Sequence, residues 1–196
     1  MTCTSFDTVC APSTRSAVMV GWWSPGRACA ATGFWATLEK MDVDLIQAVL
    51  EALEREHVRY VVFGAVALAL HGLPRATEDL DLFIAPDRDN IERLKSALRS
   101  VFHDPHIDEI TADDLLGDYP AMQYGPPDGP FHIDLLTRLG ELFDFASLET
   151  ERIDFGGVTV SVVTPAMLYR MKKHTVRPKD HVDAARIARR FGIEEA

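Results

Sequence analysis

The chain has 196 residues, of which 47% are hydrophobic and 26% are charged, and its formal net charge is −10 at pH 7. These fractions are typical of one globular domain and exclude collagen-like and fully disordered chains. No apolar run reaches the roughly 18 residues that a membrane-spanning helix needs, so no membrane span is expected. The negative charge argues against a general binder of polyanions, so any nucleic-acid binding must rest on a local basic patch.

The first forty residues differ in composition from the rest of the chain. All three cysteines and all three tryptophans lie there, and the segment follows neither a helix nor a strand period. We expect a poorly ordered or atypical leader over residues 1–40 and a folded domain over residues 41–196, although a short apolar run at residues 17–23 leaves a signal peptide open. The odd cysteine count and the absence of a Cys-x-x-Cys pair favour neither a disulfide framework nor a zinc site. A reducing cytoplasm is therefore the expected location.

From Met41 onward the hydrophobic pattern alternates between helix and strand periods. The expected helices cover residues 42–56, 65–70, 87–101, 165–174 and 180–190, the last one capped by Asp180 and stopped by Gly192. The expected strands cover residues 59–63, 79–84, 131–136 and 158–163. The stretch at 103–130 is acidic and rich in Pro and Gly, so we expect loops with one short helix near Asp113. This order predicts a small α/β or α+β domain.

One window carries chemistry: Gly64 and Ala65 end the first strand and open a helix, and Asp79 and Asp81 begin the second strand. Strand side chains alternate between the faces of a sheet, so both carboxylates project from the same side. They repel each other unless a hard cation lies between them, and Mg²⁺ prefers oxygen ligands. The start of a helix offers free N–H groups to an anion, and glycine lets a phosphate approach the backbone closely. The window therefore indicates phosphoryl or nucleotidyl transfer.

A third carboxylate lies on the third predicted strand. Asp134 alternates there with Ile133 and Leu135, so that strand has one apolar face and one polar face. With two metal ions about 3.5–4 Å apart, a third carboxylate can hold the metal on the acceptor side and help to deprotonate the attacking hydroxyl. We therefore count Asp134 with the pair on the second strand.

Together these motifs resemble the DNA-polymerase-β-type nucleotidyltransferase superfamily, on Gly64-Ala65, Arg75-Ala-Thr77-Glu-Asp79-Leu-Asp81 and Ile133-Asp134. The C-terminal stretch is similar to the abortive-infection toxin (AbiEii-type) nucleotidyltransferase-like proteins, on Lys172, Arg177-Pro-Lys179-Asp180 and Asp183. The resemblance covers about residues 42–192. It implies a mixed β-sheet of about four to five strands flanked by helices.

The resemblance also implies an enzyme that moves NMP from an NTP, with ATP binding expected, to an acceptor hydroxyl. Two Mg²⁺ ions, or Mn²⁺ in their place, would lie on the three carboxylates Asp79, Asp81 and Asp134. Nucleotide phosphates would lie near Gly64 and Ala65. The family commonly has Gly or Ser where this chain has Ala65, so a hydroxyl contact to the terminal phosphate is missing.

Basic residues complete the site that the resemblance implies. Lys172 matches a nucleotide-contacting lysine on a C-terminal helix, and the stretch with Arg177, Lys179 and Asp180 usually closes the site. Arg75 and Thr77 either contact phosphate or carboxylate groups or only shape the loop before the second strand. The stretch 170–190 holds a cluster of basic residues that can bind a triphosphate or an RNA end: Arg170, Lys172, Lys173, Arg177, Lys179, Arg186, Arg189 and Arg190.

The acceptor stays open at this point. The resemblance suggests a tRNA end, with the protein as the toxin of a toxin–antitoxin pair and an antitoxin protein as its partner. We expect the acidic stretch 104–154 to be a solvated loop surface. A basic partner protein that docks on it, or a small, hydroxylated, cationic acceptor such as an aminoglycoside, stays open. A third alternative is a non-catalytic module of the same fold that binds a nucleotide or a partner, which Ala65 mildly favours.

Overall fold

The structure, a computed structural model, describes residues 42–118 and 120–194. The leader expected over residues 1–40 lies outside the described residues. The α-helices are α1 (Val43–Arg55), α2 (Gly64–Leu70), α3 (Arg88–Val101), α4 (Ala112–Leu116), α5 (Pro165–Lys173) and α6 (Pro178–Phe191). The strands are β1 (Tyr60–Phe63), β2 (Asp79–Ile84), β3 (Ala121–Tyr124), β4 (His132–Leu136), β5 (Arg138–Leu139), β6 (Phe143–Asp144), β7 (Thr150–Phe155) and β8 (Val158–Val163). Among the helices described, none has the length and apolar character needed to cross a membrane.

Six of the strands form one mixed sheet in the order β3-β4-β2-β1-β8-β7. The central strand β2 runs antiparallel to β1 and parallel to β4, and β1 runs parallel to β8. The outer strands β3 and β7 pair antiparallel with β4 and β8. Strands β5 and β6 form a separate hairpin that follows β4 directly. The expected α/β fold with a mixed sheet is thus confirmed, and the sheet has six strands where four to five are expected.

The two additional strands of the sheet, β3 and β7, both lie at its edges. The expectation of loops over 103–130 is wrong at Ala121–Tyr124, although α4 confirms the short helix near Asp113. In β7 only Ile153 and Phe155 are half-buried and the other residues are exposed. An edge strand faces solvent over much of its surface, so it lacks the run of β-branched and aromatic residues by which a buried strand is recognised.

Alternation along β4 and along the first four residues of β2 separates the core from the polar face of the sheet. Leu80 and Leu82 are fully buried, and the register places them beside Ile133 and Leu135 of β4. Helix α1 is amphipathic, buries the face with Leu50 and packs against α3. The alternate positions of β2 and β4, which include the three aspartates, therefore project from the opposite face of the sheet.

The two C-terminal helices begin as proline at the first turn predicts, but with one difference. The Thr164 hydroxyl accepts a hydrogen bond from the N–H of Met167 and caps α5. Helix α6 begins at Pro178, so the expectation that Asp180 caps it is wrong. Asp180 lies in the first turn, where its carboxylate is bonded to other side chains. Gly192, with a left-handed φ of 65°, ends α6 as expected.

Candidate active site

A pocket of about 310 Å³ lies where β1 passes into α2, and β2, β4, α5 and the start of α6 close its other sides. Nine of the eleven residues expected at the site line it: Gly64, Arg75, Asp79, Asp81, Asp134, Lys172, Arg177, Lys179 and Asp180. Its remaining lining is mostly apolar: Phe63, Leu139, Leu168, Met171 and Thr175. The other two expected residues, Ala65 and Thr77, are buried and do not line it.

Three carboxylates face this pocket from two neighbouring strands. Asp79 and Asp81 project from β2, and the parallel register places Asp134 of β4 beside Asp81. Burial raises the pKa of the Asp81 carboxyl to about 6, with a further rise from the charges of Asp134 and Asp79. The N–H of Ala65 and the charge of Lys172 act in the opposite direction. The site therefore concentrates negative charge that a divalent cation would neutralise.

Two of these carboxylates have polar neighbours that the sequence did not suggest. Gln123 of the edge strand β3 donates from Nε2 to Oδ1 of Asp134 over 2.9 Å. His132 of β4 places Nδ1 3.9 Å from Oδ1 of Asp79. Because β3 itself was not predicted, nothing in the sequence placed Gln123 at the site.

The donor chemistry of the three carboxylates suits Mg²⁺, which takes oxygen ligands. Within residues 42–118 and 120–194, however, no three His, Cys, Asp or Glu side chains lie close enough together to hold a metal ion as they stand. Asp79, Asp81 and Asp134 must therefore turn toward one another to share an ion. All three project from the same face of the sheet.

Gly64 is the residue at which β1 turns into α2, and its φ of +66° is one that residues with a Cβ rarely adopt. A Cβ at this position would lie 1.9 Å from Oδ2 of Asp81 and 3.0 Å from its Cβ. The close approach that the sequence assigned to a phosphate is therefore made by the Asp81 carboxylate. Gly64 is needed at this turn to give Asp81 its place.

Lys172 lies on the buried face of α5, and its side chain is 9% exposed. Its Nζ is 2.7 Å from Oδ1 of Asp180 and 3.2 Å from Oδ2 of Asp183. Thr175 donates its hydroxyl to the other oxygen of Asp180 over 3.0 Å. Burial alone would raise the pKa of the Asp180 carboxyl, but the bonds and charge of Lys172, together with Thr175, lower it. An ammonium has three donors, so one N–H of Lys172 is left for a ligand in the pocket.

Asp183 joins this cluster to the loop that precedes β2. Only 2% of the residue is exposed, and Oδ2 accepts a hydrogen bond from Nε of Arg75 over 3.2 Å. Asp183 belongs to the C-terminal motif, although the resemblance assigns it no role in the site. Its spacing of three from Asp180 was the available signal, because residues three apart share one face of a helix. Thr77 accepts a hydrogen bond from the N–H of Asp79 over 3.3 Å, so it shapes this loop.

Arg177 and Lys179 differ from the other cations of the pocket because both are exposed. Among the described residues, neither has a carboxylate within ion-pair distance. A charge that no partner neutralises is the one best able to attract a phosphate. The pocket thus combines carboxylates on the sheet with two cations, Arg177 and Lys179, that have no ion-pair partner among the described residues.

Comparison with known proteins points to one family. A family model described as nucleotidyl transferase AbiEii toxin, type IV TA system, matches residues 48–196. The fold is similar to that of ANT(2″)-Ia, solved in complex with adenylyl-2″-tobramycin, at 15% identity over 74% of this chain and 86% of that chain, with a TM-score of 0.46. It is also similar to an antigenic nucleotidyltransferase-like protein from Paracoccidioides brasiliensis, at 19% identity over 76% of this chain and 75% of that chain, with a TM-score of 0.47. No curated protein sequence matches the chain.

Proposed function

Because the chain belongs to the nucleotidyl transferase AbiEii toxin family, and is therefore a nucleotidyltransferase, we propose that its pocket transfers NMP from an NTP to an acceptor hydroxyl with the help of Mg²⁺. One observation supports the proposal above the others. Three carboxylates and two uncommitted cations line the same pocket of about 310 Å³.

Asp79, Asp81 and Asp134 would hold the metal. Bound there, Mg²⁺ (or Mn²⁺) would neutralise charge on the triphosphate and make the acceptor hydroxyl easier to deprotonate. The rise in the pKa of Asp81 to about 6, caused first by burial and then by the charges of Asp134 and Asp79, supports this assignment, because a bound cation would stabilise the ionised carboxylates. Gly64 contributes by leaving room for the Asp81 carboxylate.

The basic residues divide into two groups with different tasks. Arg177 and Lys179 are exposed and take the β- and γ-phosphates, so they oppose the charge that builds up on the leaving pyrophosphate. Lys172 is fixed by Asp180 and Asp183 and directs its remaining N–H at the nucleotide. Since two carboxylates offset its single positive charge, Lys172 orients the phosphates more than it attracts them.

Asp134 would receive the proton of the acceptor. Its Oδ1 accepts a hydrogen bond from Gln123 and keeps a second lone pair for the metal, while Oδ2 would take the proton from the attacking hydroxyl. The acceptor oxygen then forms a bond to the α-phosphorus of the NTP, and the bond from that phosphorus to the bridging oxygen of the β-phosphate breaks. The products are the NMP ester of the acceptor and pyrophosphate.

We further propose that the acceptor is a tRNA end and that an antitoxin protein controls the enzyme. The type IV toxin–antitoxin description of the family supports the antitoxin. The basic residues of α5 and α6 support a polyanionic acceptor. A small cationic acceptor such as an aminoglycoside finds little support in a pocket whose exposed rim carries Arg177 and Lys179.

The test is label transfer from each of the four α-³²P-labelled NTPs, with Mg²⁺, into a tRNA pool and, separately, into an aminoglycoside panel. We expect labelled tRNA from the wild-type chain and none from Asp81→Asn. Asp89→Asn is the matched control, because Asp89 is an exposed aspartate on α3 away from the pocket. It should transfer at the wild-type rate.

The outcomes separate the alternatives. Label in the aminoglycosides alone would replace the tRNA proposal with a small-molecule acceptor. No transfer by the wild-type chain, combined with NTP binding that requires Mg²⁺, would indicate a non-catalytic binding module. Equal transfer by wild type and Asp81→Asn would contradict the assignment of the carboxylates.

A further inference from the structure

A second pocket, of about 510 Å³, lies between the β5–β6 hairpin and the C-terminal end of α5. It shares three lining residues with the active-site pocket: Leu139, Met171 and Thr175. The two spaces therefore adjoin along a common wall. Only Thr137 separates the hairpin from β4, the strand that carries Asp134. We call it the hairpin pocket.

One wall of the hairpin pocket is apolar. Leu139, Phe143 and Met171 contribute to it, and Leu142 at the tip of the hairpin is 76% exposed. A single exposed leucine needs no explanation. This one, however, borders a cavity whose volume lies within the range of about 300–1,000 Å³ typical of small-ligand sites. An apolar wall of this kind can pack against the flat face of a nucleobase.

The opposite wall carries basic side chains from the end of α5. Lys173 has no carboxylate within ion-pair distance among the described residues, and its ammonium lies 5.5 Å from the centre of the Tyr169 ring. His174 is beside it, and Arg170 is paired with Glu149. Glu141 is the one acid of this lining. Its position at the hairpin turn places it across from the basic wall.

The basic wall continues onto α6. The stretch 170–190 contains two acids, Asp180 and Asp183, and both are buried in the ion pairs with Lys172 and Arg75. All charged side chains that this stretch exposes are therefore basic, in a chain whose net charge is −10. Such a surface attracts a chain of phosphates and repels a cationic small molecule.

We propose that the hairpin pocket binds the single-stranded 3′ end of the nucleic-acid acceptor. The terminal base lies against Leu142 and Phe143, and its phosphates lie along Lys173 and the exposed face of α6. The terminal ribose hydroxyls then reach the shared wall at Leu139, beside the active-site pocket. This inference rests on the proposed function for the direction of entry, but it makes a separate statement about which surface binds RNA.

Binding can be measured without catalysis, by fluorescence anisotropy with the full chain. One probe is a fluorescein-labelled RNA stem with a four-nucleotide single-stranded 3′ overhang, and the second is the same stem with blunt ends. A DNA version of the overhang shows whether the 2′-hydroxyls contribute. The variants are Leu142→Asp, which makes the apolar wall polar, and Lys173→Glu. Arg93→Glu is the matched control, because Arg93 is an exposed arginine of α3.

We expect the wild-type chain to bind the overhang stem more tightly than the blunt stem. Leu142→Asp should reduce affinity for the overhang stem by about tenfold, as losing one base contact does, and leave the blunt stem within about twofold. Lys173→Glu should weaken both RNAs, and Arg93→Glu neither. Both pocket variants should bind NTP as the wild type does.

Two results overturn the inference. The overhang and blunt stems bind equally well, or Leu142→Asp and Lys173→Glu bind the overhang stem as the wild type does. Failure of the proposed function gives a different pattern: RNA binding depends on the hairpin pocket, yet no label is transferred. Transfer to RNA that neither variant impairs would keep the enzyme and remove the hairpin pocket as its acceptor site.

Discussion

Replacing Gly64 with alanine tests the geometry of the site most directly. The backbone there has a φ of +66°, and the added Cβ would lie 1.9 Å from Oδ2 of Asp81. A left-handed residue with a Cβ costs about 1–2 kcal/mol. The Asp81 side chain must also leave its rotamer, at about 0.5–1.5 kcal/mol, and lose its bond from the N–H of Ala65, worth about 1 kcal/mol. We expect Gly64→Ala to lower the free energy of unfolding by about 2.5–4.5 kcal/mol.

Gly72 provides a matched control for this substitution. Its φ is +78°, so Gly72→Ala carries the same backbone cost, but no atom lies within 4 Å of the added Cβ. We expect it to cost about 1–2 kcal/mol and to leave Mg²⁺-dependent NTP binding intact. The difference between the two variants measures the displacement of Asp81 alone.

Urea unfolding of both variants and NTP titration with Mg²⁺ are the measurements. Gly64→Ala should lose NTP binding because the displaced carboxylate no longer faces the pocket, whereas Gly72→Ala should retain it. Equal losses of stability, with NTP binding preserved in both, would refute the reasoning. The Asp81 carboxylate would then not occupy the space that Gly64 leaves.

Three further substitutions probe other parts of the structure. Asp180→Asn should destabilise the fold by roughly 1–3 kcal/mol above pH 5, less than the full loss of a buried pair because Lys172 keeps a second carboxylate. The pKa of Asp180 is lowered in the fold. Its contribution to the free energy of unfolding is therefore complete above the ordinary Asp pKa of about 3.9 and is lost as pH falls through the lowered value. Urea unfolding at pH 3–7 should show that the difference in stability between wild type and variant closes only below about pH 4. Gln123→Leu removes the hydrogen bond to Asp134, so it should slow nucleotidyl transfer about 2–10-fold and leave the urea midpoint unchanged. An unaltered rate would show that this bond does not orient the Asp134 carboxylate. Asn90→Ala removes the three hydrogen bonds that join this fully buried side chain to backbone groups. It should lower the free energy of unfolding, measured with urea, by about 2–4 kcal/mol. A decrease below about 1 kcal/mol would contradict those bonds.

The parts of the fold that the sequence predicted are those in which the local pattern and the tertiary environment agree. Strands β1, β2, β4 and β8 lie inside the sheet, where burial selects β-branched and aromatic residues. The alternation of Asp79, Asp81 and Asp134 with buried leucines and isoleucines therefore predicted one acidic face correctly. At the edges burial selects weakly, so β3 and β7 had no comparable signal.

The contacts around the carboxylates could not be predicted because they join distant parts of the chain. Gln123 reaches Asp134 only because an unpredicted edge strand pairs with β4. Arg75 and Asp183 are 108 residues apart in sequence, and their ion pair depends on how α6 lies beside the loop before β2. Spacing shows which residues can share a face, but the partner across the pocket is set by packing.

Charge illustrates the same limit for the acceptor. The sequence gives a net charge of −10 and an acidic middle segment, and both argue against a nucleic-acid partner. Burial changes that balance locally. Asp180 and Asp183 are buried in ion pairs with Lys172 and Arg75, while most of the basic residues around them stay exposed. A polyanion responds to the charges within about one Debye length, near 8 Å at physiological salt, and the sum over the whole chain matters little at that range. The exposed face of α5 and α6 is thus basic on a protein that is acidic overall, as the proposed binding of an RNA end requires.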